Sequence, residues 1–167
     1  MSANKKPRKK YNPNKRASMD AFAGLRALQM ARALQSDRPL DKDQLLDLGI
    51  SYHGALSAVV SGSGTHDDTN VLAMASNICM LLCESGIGKE HIDIARAGQE
   101  AIVILMMRHL SIGKCIATGQ ELKALQELLE LHDAQLASEE CTEARMTAVL
   151  AECKRRIKAQ QVLRVAA

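Results

Sequence analysis

Seven cations crowd the first sixteen residues: Lys5, Lys6, Arg8, Lys9, Lys10, Lys15 and Arg16, with no acid among them. Pro7 and Pro13 keep this run extended, because proline lacks an amide donor and its ring clashes with a preceding helical turn. An extended polycation can follow a polyphosphate backbone and release the counterions condensed on it. If all seven met phosphates, log affinity would fall with log salt at a slope of about −6. Tyr11 offers a ring for stacking on a base, thin aromatic support for single-strand recognition. A second cluster, Lys154, Arg155, Arg156 and Lys158, either extends the same surface or complements the dipole of the helix that carries it. Set against phosphate binding are a solvated tail, contact with an acidic protein, and a nuclear-import signal, which this composition does not separate from nucleic-acid contact.

Other chemistries fail on spacing. Gly86-Ile87-Gly88-Lys89 invites comparison with a phosphate loop, but such a loop needs glycine where Cys83 stands and Ser or Thr where Glu90 stands. Gly113-Lys114 fails in the same way, with Arg108 and Cys115 in those places. His66-Asp67-Asp68 and His91-Ile92-Asp93 do not repeat at a spacing that gathers metal ligands on one helical face, and no Glu-x-x-His pair occurs. Cys79 and Cys83 share a face at i and i+4 without the partners a zinc site requires, so they read as buried small apolar residues. His109 and His132 read as histidines at the edge of a core, each with one satisfied hydrogen bond. No catalytic residue, metal ligand or cofactor site is expected, and the chain is read as non-enzymatic.

The elements that must carry these residues are helices. The apolar content is Leu, Ala, Met and Ile, with one Phe, two Tyr and no Trp in 167 residues. Such a chain can bury roughly 70% of its unfolded surface without a metal or disulfide. The five cysteines, with no signal peptide in view, fit free thiols in a reducing cytoplasm. The net charge of +3 conceals an asymmetry: residues 1–16 carry +7, residues 154–167 carry +5, and the stretch between them carries −9.

Residues 1–17 form an arm with too little apolar surface to offset ordering, expected to be disordered when unbound. Residues 18–167 are read as a single all-α domain of about six helices. Ser18 caps the first, which uses Phe22, Leu25, Leu28 and Leu34 and stops before Asp37 and Pro39. Asp41 to Gln44 opens the second with capping-box character; its stripe is Leu45, Leu48, Tyr52, Leu56 and Val59, and Gly49 is placed for close approach of a neighbour. Thr65 starts the third, with Val71, Met74, Ala75, Ile78 and Leu82 along one side and Gly86 as its C′ residue. The fourth follows Gly88 and closes at Gly113. Its run from Ala101 to Met107 is apolar on every side of the wheel, which makes it the expected central rod, too short to span a bilayer. A charged substitution at Ile104 or Leu105 is therefore expected to unfold the body. Thr118 caps the fifth helix, with Leu122, Leu125, Leu129, His132 and Leu136 inward. Ser138 or Thr142 caps the sixth, with Met146, Val149, Leu150, Cys153 and Ile157 along one side. The second and third helices, and the fifth and sixth, read as antiparallel hairpins flanking the rod.

KKPRKKY at Lys5 to Tyr11, together with Leu131-His132-Asp133-Ala134-Gln135, resembles small helical proteins of proteobacterial phages and mobile elements. The resemblance implies a bacterial or prophage setting and transfers no functional residue. The expected partner is nucleic acid, DNA or RNA, gripped by the arm with little sequence preference. The rival expectation is a phage-type effector that docks on a host protein, and leucine stripes would also serve a homodimer.

Overall fold

A computed structural model describes residues 36–161. Within it the chain folds into α1 (Lys42–Ser61), α2 (His66–Glu84), a 3-10 turn (Lys89–His91), α3 (Ile92–Ile112), α4 (Gly119–Leu136) and α5 (Glu143–Lys158). The described residues are thus all-helical, with one isolated antiparallel bridge between Pro39 and Thr142. The basic arm over 1–17 and the expected first helix, 18–35, lie outside the described residues.

Local chemistry sets the helix starts. Asp41 accepts the Gln44 amide at 2.9 Å while the Gln44 carboxamide accepts the Asp41 amide at 2.9 Å, which satisfies two donors a helix start leaves open. The same reciprocal box closes on Thr65 with Asp68 and on Thr118 with Glu121. Thr142 caps α5 through the Arg145 amide at 3.2 Å. At the end of α2, Gly86 takes φ +108°, the Gly86 amide returns to Cys83 O, and the Ile87 amide returns to Leu82 O. That is the Schellman pattern, which only a residue free to adopt positive φ completes without strain.

The central position belongs to α2 and not to the Ala101–Met107 stretch. The side chains of α2 are buried almost all round, from Leu72 through Asn77, Cys79 and Leu82 to Cys83, and the helix packs against α1, α3, α4 and α5. Among the described residues α3 packs chiefly on α2 and α4. Ala101, Ile102 and Leu105 face inward, whereas Ile104 is 48% exposed, Met107 66% and Leu110 71%. Unbroken apolarity therefore marks two faces in α3: one in the core and one left open. Serine, threonine and asparagine conceal the buried character of α2, because Thr69, Ser76 and Asn77 are all within the core.

The hairpin expected from α4 and α5 is also replaced. α5 turns away from α4 and packs on α2. Its first turn is fixed by the incoming chain, since the amides of Glu143 and Ala144 donate to Arg38 O at 2.9 Å and Ser36 O at 3.1 Å. Arg145 then reaches Ser85 O at 2.9 Å, holding α5 against the C-terminal end of α2.

Gly49 has only its own helix's Tyr52 and His53 near the place of a Cβ, at 3.9 and 4.0 Å, so the close approach expected there is absent. Gly98 carries it instead: a Cβ on Gly98 would stand 2.7 Å from Leu128 Cβ, where α3 and α4 cross. All five cysteines are buried free thiols. Burial pushes each thiol pKa up and so disfavours the nucleophilic thiolate.

Candidate functional site

Two sets of basic residues were expected to act together, and the structure describes one of them. Lys5, Lys6, Arg8, Lys9, Lys10, Tyr11, Lys15 and Arg16 precede the described residues. Lys154, Arg155, Arg156 and Lys158 occupy the last turns of α5, where positive charge complements the carbonyl end of the helix. They are not equivalent. Arg156 is engaged internally, its guanidinium reaching Glu84 at 2.6 Å and Glu152 at 2.7 Å. Arg155 pairs with the same Glu152 at 2.7 Å, and the two arginines hold the Glu152 carboxyl down to about 2. Lys154 and Lys158 are exposed and enter no ion pair among the described residues. The cluster thus presents Lys154, Lys158 and a shared Arg155 to solvent, with Arg156 tying α5 to α2.

A second constellation joins α1 to α4. The Tyr52 hydroxyl donates to Asp133 Oδ1, and His53 Nε2 lies 2.9 Å from Asp133 Oδ2. Burial raises the Tyr52 pKa and the neighbouring carboxylate raises it further, so the phenol remains a donor. The His132 ring lies 5.3 Å from that of Tyr52 and is 3% exposed. Nδ1 of His132 and Oε1 of Gln135, one turn on, both lack a partner of good geometry among the described residues, although Gln135 lies near enough to favour the charged imidazole. Burial outweighs that help and holds the His132 pKa down to about 4, which leaves the ring neutral at pH 7. His132 is therefore a deep core residue and not one at the core's edge. Asp133 orients His53 as a carboxylate orients a base, yet the neighbouring hydroxyl is committed to the same carboxylate and made harder to ionise. The arrangement pins two helices and offers no activated nucleophile.

Beside this pin runs an apolar groove of about 190 Å³ between α1 and α5, floored by α2 and lined by Leu48, Tyr52, Met74, Ile78, His132 and Leu150. Neither the pin nor the groove has a signal in the sequence. Tyr52 and Asp133 are 81 positions apart, and Tyr52 reads as one more apolar step in the α1 stripe. The Arg108–Glu121 pair was equally hidden: its two guanidinium nitrogens meet both carboxylate oxygens of Glu121, which also accepts the Thr118 amide at 2.8 Å. It locks the turn between α3 and α4 and holds the Glu121 carboxyl below the usual carboxylate range, Arg108 being the main cause.

Among the described residues no three His, Cys, Asp or Glu side chains converge as metal ligands would, and no helix is long and apolar enough to cross a membrane. No family model, curated protein or solved structure matches the chain.

Proposed function

We propose that the chain is a non-enzymatic module of six helices whose basic N-terminal arm contacts nucleic-acid phosphates with little sequence preference. The observation that carries this reading is the partition of charge: +7 on residues 1–16 and +5 on residues 154–167, against −9 on the stretch between. A body of that sign repels a phosphate backbone, so attraction must come from the ends of the chain. Lys154 and Lys158 stand exposed at the end of α5 and add to the arm's charge. Sequence preference would need base-edge contacts, and an arm of lysines and arginines with one tyrosine supplies mainly backbone contacts. Fluorescence anisotropy with labelled duplex DNA and single-stranded RNA tests it. The full chain should bind both, and a variant with Lys5, Lys6, Arg8, Lys9 and Lys10 changed to Gln should bind both far more weakly at the same salt. Equal binding by both proteins defeats the reading.

A second reading is favoured by a separate observation. Ile104, Met107 and Leu110 make an exposed apolar stripe on α3, suited to a protein partner such as the host target of a phage-type effector or a second copy of the chain. Capture from a bacterial lysate after nuclease treatment separates the readings. Partners lost with the nuclease support the first, and one stoichiometric protein, released by Met107→Glu, supports the second.

A further inference from the structure

We propose that the open face of α3 is a two-fold interface with a second copy of the chain, the two α3 helices running antiparallel so that Met107 and Leu110 of each copy fill a hollow beside Glu100 of the other. This rests on the reading of the α3 stripe as a protein-docking face and names the partner.

One helix carries both halves of the contact. α3 buries Ala95, Gly98, Ala101, Ile102 and Leu105 against the body. Its opposite side holds Arg96, Glu100, Val103, Met107 and Leu110 at steps of four and three residues, the spacing of a coiled-coil seam, with Ile104 beside them. The C-terminal half of that side projects, Met107 being 66% exposed and Leu110 71%. The N-terminal half is a hollow of about 440 Å³ lined by Arg96, Gln99, Glu100, Val103 and Ile104. Projection and hollow thus lie on either side of the Val103–Ile104 midpoint. A two-fold axis through that midpoint exchanges the ends, so that each copy's projection meets the other's hollow. Such a contact is self-complementary and closes at two copies. A partner of different sequence would need no match between the two ends of one helix.

Charge selects the same arrangement. Parallel helices would set Arg96 against Arg96 and Glu100 against Glu100. The antiparallel pair sets Met107 opposite the partner's Glu100, Leu110 opposite the partner's Ala97, and Lys114 opposite the partner's Asp93. Ala97 is small and exposed, which leaves room for leucine, and flexible methionine can lie along the methylenes of a glutamate. Neither Glu100 nor Lys114 enters an ion pair among the described residues. The face is balanced, Arg96 and Lys114 against Asp93 and Glu100, so an acidic body can meet its own copy here.

The area suffices. The exposures of Ile104, Met107 and Leu110 amount to roughly 400 Å² of apolar surface, about half of the ~800 Å² that each partner contributes to a stable interface. Non-obligate interfaces are themselves little more than half apolar, and Arg96, Gln99, Glu100 and Ser111 supply the polar remainder.

Sedimentation velocity on the nuclease-treated full chain, across the micromolar range, tests the interface. The parent should form a reversible dimer, and Met107→Glu or Leu110→Glu should each raise its Kd at least about a hundredfold. Ile50→Glu, at an apolar residue of α1 that is 63% exposed, should leave the dimer unchanged. Adding Glu100→Lys to Met107→Glu should restore the dimer, because the new charges face each other across the axis, and that rescue excludes misfolding. In samples dilute enough to be monomeric, Ile104→Glu and Met107→Glu should melt as the parent does. The proposal is overturned if the parent is monomeric throughout, if the dimer survives Met107→Glu and Leu110→Glu, if Ile50→Glu dissociates it, or if Glu100→Lys brings no rescue. A monomeric parent that still captures one lysate protein, released by Met107→Glu, defeats the second copy alone. A monomer whose captures are indifferent to Met107→Glu defeats the docking face as well.

Discussion

His132 should make the protein markedly less stable in mild acid, and a single substitution should cancel the effect. Its ring is 3% exposed, lies against Tyr52, and has a pKa held down by burial to about 4, whereas an unfolded histidine titrates near 6.5. The unfolded chain therefore binds a proton that the native chain refuses, and stability falls as pH drops through the unfolded pKa toward the native one. Between about pH 7 and about pH 5 the difference amounts to about 2 kcal/mol, with little solvent screening at so buried a site. With a urea m-value of ~1.5–2 kcal/mol/M, the midpoint should move down by about 1 M. Urea unfolding of the parent and of His132→Leu at both pH values is the assay. Leucine fits the helix and is close in volume, so the variant's midpoint should change far less. Glu121 and Glu152 do not interfere, because their lowered pKa values withdraw stability only as pH falls below the ordinary carboxylate range. Equal loss of stability in parent and variant would refute the reasoning, and would mean that the ring is hydrated or reaches a partner able to stabilise its charge.

The glycines give a matched pair. Gly98→Ala should destabilise by about 1–2 kcal/mol, because the clash with Leu128 outweighs the better helix propensity, whereas Gly49→Ala should be stabilising by about 0.5–1 kcal/mol; thermal unfolding by circular dichroism reads both signs. Leu105→Asp, at a fully buried position, should cost more than about 4 kcal/mol and unfold the body, while Ile104→Glu, one residue away and 48% exposed, should change stability by no more than about 0.5 kcal/mol. Equal melting of those two variants would contradict the two-faced description of α3.

What the sequence revealed were the features encoded within a turn or two of chain. The boxes at Asp41, Thr65 and Thr118, and the glycine stops at Gly86 and Gly113, are local hydrogen-bond problems with local solutions, and the stripe through Leu125, Leu129 and Leu136 is indeed buried. The central element was not legible, because apolarity is not burial. α3 has the longest apolar run and leaves Met107 and Leu110 in water, while α2 buries Thr69, Ser76 and Asn77. Asn77 accepts a hydrogen bond from Gln99 at 3.1 Å, which no helical wheel could anticipate. Pairings such as Tyr52 with Asp133 and Arg156 with Glu84 depend on where helices meet, and no periodicity records that. For the basic residues at 154–158 the charge is plain from residue type, and only the structure separates solvent-facing lysines from an arginine held against α2.

The most direct test of the central claim is the salt dependence of nucleic-acid binding by the full chain. If the seven arm cations meet phosphates, log affinity should fall against log salt with a slope of about −6, nearly the same for unrelated duplex sequences. Changing Lys5, Lys6, Arg8, Lys9 and Lys10 to Gln should bring the slope to about −2. A slope unaltered by those substitutions, or no binding by the full chain at low salt, would contradict the account.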